Sequence, residues 1–356
     1  MLKINSLQSI TLDFIRLFAA QLVVAGHLFS FLKIGNGMPY IQNTGVVLFF
    51  VLSGLIISYT VFYKSQIEYS FKSFFIERFS RIYTGLLPSL IFIFLLDSLM
   101  IYLNPLDYSF MDEFDIKTFI GNLLMLQDYN YIGHFFNQYI PVEYKITSFG
   151  SGKPLWTLAI EWWLYMLFGV LYFFYKKSFS WKYFPILLLL SIIPLWNLIH
   201  GRGHGLSIYW IFGLLITLFI FKKQQIPKLL ALFSSILLFF SAIIYMLIVE
   251  RVAYNLHYVF FLAGSLAFLL LYQQDSQKKY IGKFSKLIKY LASYSFTLYL
   301  IHYSVIIFVL SLNLEYNKLT LFLGSFVLSN ILALLLASIG EMKYRKVALK
   351  IKNYWR

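Results

Sequence analysis

The chain has 356 residues, 60% of them hydrophobic and 21% aromatic, with 13% charged, no cysteine and a formal charge of +15. A soluble domain carries roughly twice that charged fraction, so a water-soluble globule is excluded, and the lack of cysteine excludes disulfides, thiolate metal sites and a cysteine nucleophile. The basic excess raises nucleic-acid binding, which the distribution of Lys and Arg decides below.

A bilayer core of about 30 Å needs roughly 20 apolar residues of helix. Ten runs meet or approach this: 10–32, 44–63, 82–103, 155–175, 183–200, 206–221, 229–249, 255–272, 287–311 and 319–340. The first contains Asp13 and Arg16, outruns a signal-peptide core and has no small-residue cleavage site after it, so it reads as a retained helix. Segment 118–126 is apolar but too short to span, and is predicted at the membrane interface. The expected fold is therefore all-α, a polytopic bundle of about ten transmembrane helices in one domain, 1–356.

Placing the N-terminus in the cytoplasm tests that count. Twenty-two of the 30 Lys and Arg residues then fall in inside segments and seven in outside ones. That asymmetry follows the positive-inside rule. An odd span count would scramble it. Both termini are thus predicted to be cytoplasmic, the basic charge is a topology signal in the cytoplasmic membrane, and no nucleic-acid partner is implied. The longest loop, 104–154, falls outside. It is acidic, and its aromatic run Tyr129, Tyr131, Phe135, Phe136 and Tyr139 points to packing against the bundle. No metal site is predicted, because His200 and His204 flank two glycines in a stretch with no helical register.

Ionisable groups inside a span are costly and mark helix packing or function. Asp13 and Arg16, three apart, share a helix face and can pair. Arg16 and His27 are eleven apart, about three turns, so both point the same way. Glu161 lies a few residues inside the outer end of its span, at about the depth of His27. A carboxylate near an imidazole suits a general base; the alternative is a helix-bridging hydrogen bond with no chemistry. His302 sits in a hydroxyl-rich helix that offers it structural partners. Asp97, near an end of the third span, reads as a capping or snorkelling residue. Arg78 and Arg81, three apart, form a pair suited to a phosphate, or plain inside charge.

These residues fall in blocks. Leu12-Asp13-Phe14-Ile15-Arg16 through Gly26-His27, Gly45 to Ile56, Phe75 to Tyr83 with its two arginines, Trp156 to Glu161 with Tyr165, and Tyr294 to His302 together resemble the membrane acyltransferase family 3, which includes lipopolysaccharide and peptidoglycan O-acetylases. The blocks run in family order over essentially the whole chain. Val47 stands where the family often has an acidic residue, and Met342-Lys343 interrupts the usual Glu-x-Pro near Glu341.

The resemblance implies acyl-CoA, commonly acetyl-CoA, as the donor substrate, no permanently bound cofactor, and a carbohydrate hydroxyl as acceptor. On this reading Arg16, Arg78 and Arg81 hold the CoA phosphates. His27 acts as general base or transient acyl carrier, supported by Glu161, while Ser53, Tyr299 and His302 contact substrate. Membrane lipid is the remaining partner. A polysaccharide flippase or polymerase would also be polytopic with buried charges, but would consume no thioester. A non-catalytic binding or sensing protein would survive loss of His27.

Overall fold

Asparagine at position 5 decides where the first helix starts. Its side chain accepts from the Gln8 amide (2.9 Å) and the Gln8 side chain accepts from the Asn5 amide (3.0 Å), a capping box that opens helix α1, Ser6–Phe31. A computed structural model describes residues 3–35, 41–127, 146–175, 181–199, 205–221, 226–249, 254–274, 276 and 282–355. The expected aromatic run 129–139 and the His200–His204 stretch lie outside these residues. The helices after α1 are α2 (Ile41–Lys64), α3 (Phe71–Leu103), α4 (Ile116–Leu123), α5 (Trp156–Val170), α6 (Phe184–Ile199), α7 (Leu206–Phe221), α8 (Lys228–Ile248), α9 (Leu256–Tyr272), α10 (Lys283–Ala292), α11 (Ser295–Ser311), α12 (Lys318–Ile339) and α13 (Tyr344–Tyr354). No strand occurs among the described residues.

Among the described residues, six helical segments are long and apolar enough to cross a membrane: Ser6–Phe31, Ile41–Lys64, Phe71–Leu103, Lys153–Phe174, Lys228–Ile248 and Lys318–Tyr354. The other four expected spans fall on α6, α7, α9 and α11, helices of 16 or 17 residues, shorter than the roughly 20 that a perpendicular crossing needs, although α11 is long and apolar enough when taken with Lys283–Ala292 as one segment bent by 52°. The ninth expected run, 287–311, is divided. Its first residues belong to α10 and the apolar helix begins at Ser295.

Burial is inverted relative to a soluble protein. Along α12 the buried positions are Ser325, Ser329, Ala333 and Ala337, while Leu319, Leu323, Val327, Ile331, Leu335 and Ile339 are exposed. Small residues let helix backbones approach, and the large apolar ones face a solvent that must itself be apolar. The chain is a helical membrane protein.

It divides into two units, Met1–Ser70 with Leu195–Ser293, and Phe71–Pro194 with Tyr294–Arg356. In the first, polar residues near the start of α1 tie it to the end of α9: Asn5 Nδ2 donates to the Gln273 carbonyl (2.6 Å) and Gln8 Nε2 to that of Leu270 (2.7 Å). Helix α2 packs between α1 and α7. A Cβ on Gly54 would run into the Trp210 carbonyl, and one on Gly213 into that of Val51, so α2 and α7 touch backbone to backbone. One helical turn on, Ser58 Oγ donates to Thr217 Oγ1 (2.8 Å), which donates to the Leu55 carbonyl (3.0 Å). Helices α8 and α9 are joined by reciprocal Ser235 and Ser265 bonds to each other's carbonyls, both 2.9 Å. We expect Gly54→Ala to cost about 1–3 kcal/mol, as overpacking does, and to lower the melting temperature in detergent. An unchanged melting temperature would mean that α2 and α7 separate freely.

In the second unit α3 is the axis, with α4, α5, α11, α12 and α13 against it. Pro88 lies inside α3 and leaves the Thr84 carbonyl without its usual helical donor. Gly340 closes on that spot, where a Cβ would strike the Thr84 carbonyl. Helix α13 folds back on the start of α3, where Lys352 Nζ meets Glu77 (2.7 Å) and Lys72 Nζ donates to the Trp355 carbonyl (2.6 Å).

Segment 118–126 is the run expected at the membrane interface. It forms most of α4 and the turn after it, and α4 runs beside α3. Phe119 lies 6.4 Å from Phe94 in ring centroids, and the Leu123 carbonyl accepts from the Tyr83 hydroxyl (2.8 Å). Phe94 and Tyr83 are eleven residues apart, about 16 Å of helix, so α4 is anchored to α3 at two levels of that helix. Thr118, Gly121 and Asn122 face the protein, and Ile116, Ile120 and Leu124 face out. The chain then turns at Met125 (φ 58°), whose carbonyl accepts from Trp163 Nε1 (2.9 Å).

Candidate functional site

The first unit holds Arg16, His27 and Ser53. Arg16 and Asp13, one turn apart on α1, form an ion pair at 3.3 Å with side chains 26% and 19% exposed. His27 is half-buried three turns further on, its ring centroid 6.4 Å from that of Phe31. It follows Gly26, where α1 meets Gln42 of α2 so closely that a Cβ would lie 2.5 Å from the Gln42 amide nitrogen. That contact fixes the helix beneath the imidazole. Ser53 is half-buried on α2, directly before the Gly54 crossing with α7.

The second unit holds Arg78, Arg81, Glu161, Tyr299 and His302, and it treats the two arginines differently. Arg81 pairs with Glu341 at 2.8 Å and lies over the Tyr344 and Phe296 rings at 5.0 and 5.8 Å. Glu341 is fully buried. Its other oxygen accepts from the Thr297 amide (2.8 Å) and hydroxyl (2.9 Å), at the third residue of α11. A carboxylate there satisfies an otherwise orphaned N–H and meets the positive end of the helix dipole. Arg81 is thereby committed to holding three helices together. Arg78, one turn earlier, is half-buried, and its buried Nε has no hydrogen-bond partner among the described residues.

On α5, Glu161 accepts from the Tyr165 hydroxyl one turn away. Thr157, one turn before Glu161, donates to the Pro154 carbonyl (3.0 Å). Its proton is thus used, so the Tyr299 hydroxyl, 2.8 Å from Thr157 Oγ1, is the donor of that contact. This bond ties α11 to α5. His302 is fully buried, with Nδ1 2.9 Å from the Tyr299 carbonyl and 3.2 Å from that of Leu298. Two carbonyls at one nitrogen require the proton on Nδ1.

The start of α5 is set by Asp97, which is fully buried rather than snorkelling. It accepts from the Ser151 amide (2.8 Å) and hydroxyl (2.5 Å). Gly150, at φ +50°, brings the backbone so near that a Cβ would collide with the Asp97 carboxylate. Tyr108 lies beside the same carboxylate, and burial, then the Asp97 charge, push its phenol pKa up, so it stays protonated. Outside this clasp Lys153 pairs with Glu113 at 2.9 Å, both about a quarter exposed. We expect Asp97→Asn, which turns an N–H toward the Ser151 donors, to cost about 2 kcal/mol. Glu113→Gln is expected to cost less than about 1 kcal/mol. Thermal unfolding of the two variants measures both, and equal losses would remove the clasp from this account.

Glu341, Thr297 and Thr157 were not among the expected site residues. The sequence signal for Glu341 was a lone acidic residue at the end of the last apolar run. Thr157 stood inside a recognised block without a role.

Compared with protein families, residues 9–338 match the model described as an acyltransferase domain, that of family 3. No curated protein and no solved structure matches the chain.

Proposed function

Since the chain belongs to acyltransferase family 3, we propose that it is a membrane-bound O-acyltransferase moving an acyl group, most simply acetyl, from cytoplasmic acyl-CoA to a carbohydrate hydroxyl of the cell envelope. On this reading the bundle has ten spans, lies in the cytoplasmic membrane and keeps both termini inside. His27 takes the proton of the acceptor hydroxyl, the oxygen attacks the thioester carbonyl, and CoA thiolate leaves and is reprotonated. A variant route puts the acyl group on the imidazole first. Glu161 is the second catalytic group of the proposal, and Ser53, Tyr299 and His302 are its proposed substrate-binding residues.

The observation that carries this reading is the contrast between the two arginines. Arg81 is neutralised by Glu341, whereas Arg78 keeps a buried guanidinium nitrogen with no hydrogen-bond partner among the described residues. A guanidinium fork in that state suits a phosphate oxygen of CoA. Arg16, a quarter exposed beside Asp13, is the second proposed phosphate contact, and Arg81 contributes through position. The test is binding of acetyl-CoA to purified protein, followed by melting temperature and by titration. Arg78→Gln should weaken affinity about tenfold, the value of one charge-assisted hydrogen bond, with the unliganded melting temperature unchanged. Unaltered affinity would return Arg78 to a topology signal, and no binding of acetyl-CoA at all would sink the donor assignment.

A further inference from the structure

Helix α10 has three different sides. Ser285, Ile288 and Ala292 are buried and pack it on α1. At 100° per residue, Phe284, Leu287 and Leu291 form one flank of that buried face, and Lys283, Lys286 and Lys289 the other. Phe284 is 71% and Leu287 52% exposed, and none of the three lysines makes an ion pair among the described residues.

The location is fixed by connectivity within the first unit. Asn5 at the start of α1 is bonded to Gln273 and Gln274 at the end of α9, so these two ends share one membrane face, and ten residues later the chain enters α10. With ten residues, α10 cannot cross a bilayer by itself, and a 52° bend separates it from the apolar helix that follows. A helix with an apolar flank and a basic flank at a membrane face sits in the headgroup boundary. Its protein-facing side is taken by α1, so the apolar flank is available to acyl chains and the lysine row to headgroup phosphates.

We propose that α10 is an interfacial docking site for anionic phospholipid, with Phe284 and Leu287 in the acyl boundary and Lys283, Lys286 and Lys289 on the phosphates. The proposal is independent of the reaction catalysed and of which side of the membrane this end faces. Lysine near a membrane surface favours anionic over zwitterionic lipid, and the charge of the row selects the former.

The chain has no cysteine, so single probes need no background changes. Leu287→Cys carrying a bimane would be reconstituted as full-length protein in phosphatidylcholine nanodiscs containing a minor amount of nitroxide-headgroup lipid. Quenching by nitroxide-phosphatidylglycerol should exceed that by nitroxide-phosphatidylcholine about threefold, and the excess should vanish in the Lys283→Gln/Lys286→Gln/Lys289→Gln variant. Nitroxide labels at Phe284→Cys and Lys286→Cys should report, respectively, preferential access by oxygen and by a water-soluble nickel chelate. Equal quenching by the two lipids with the lysines intact would overturn the charge selection. Equal aqueous access at both labels would overturn the interfacial placement, and point to an acidic protein surface as the cover of this helix.

Discussion

His27→Ala is expected to lower acyl transfer by about 10²–10⁴-fold, the range lost with a general base, in protein that still inserts and folds. The imidazole is half-buried on α1, while the contact that seats the helix belongs to its neighbour Gly26 against Gln42. Loss of the ring therefore leaves the packing of α1 on α2 in place. The measurement is transfer of labelled acetyl from acetyl-CoA in inverted vesicles, with the melting temperature of each variant recorded beside it. Mixing the protein with labelled donor and no acceptor separates the two routes. Acyl-imidazole chemistry would label the unaltered chain and not His27→Gln, whereas general-base chemistry would label neither. Full transfer by folded His27→Ala would remove this residue from the mechanism.

Glu341→Ala is expected to destabilise the protein by about 3 kcal/mol, the lower end for breaking a buried ion pair. The low end applies because Arg81 keeps 25% of its side chain exposed while Glu341 has none. The loss has two parts: a guanidinium left among Phe296 and Tyr344, and an uncapped Thr297 amide at the start of α11. Replacing both partners, Arg81→Leu with Glu341→Leu, should cost much less than the sum of the single changes, because it leaves no orphaned charge. Additive losses in that cycle would show that the pair is not coupled. Arg78→Gln offers the internal comparison, a change of the same residue type one turn away with no pair to break.

The difference between these arginines explains where sequence reading stopped. Spacing sufficed to pair Asp13 with Arg16, because that relation is local, but the expected third span began at 82 and left Arg78 and Arg81 before it, whereas α3 starts at Phe71 and carries both. The partner of Arg81 lies 260 residues later in the chain, and no periodicity announces it. Asp97 could be seen as an acidic residue near a helix end, but its burial depends on the Gly150-Ser151 turn closing on it. For α4 the apolar run was visible and its packing on α3 and α5 was not, since hydrogen bonds from Tyr83 and Trp163 to carbonyls fix it. The division of 287–311 was signalled by Lys289 and by Ser293-Tyr294, residues that an average over a long window conceals. The first helix was the most legible part, with Arg16 and His27 three turns apart on one continuous helix, Ser6–Phe31.

One consequence concerns biogenesis. An insertion machinery recognises runs of about 20 apolar residues, and α4 has eight residues in all, Lys117 among them, with the Thr118 and Asn122 side chains turned toward the bundle. It has no address of its own. The groove it fills is complete only when Tyr83 on α3 and Trp163 on α5 are both in place, and α5 is synthesised after α4. Docking of this short segment therefore has to await the synthesis of a helix that follows it in the chain.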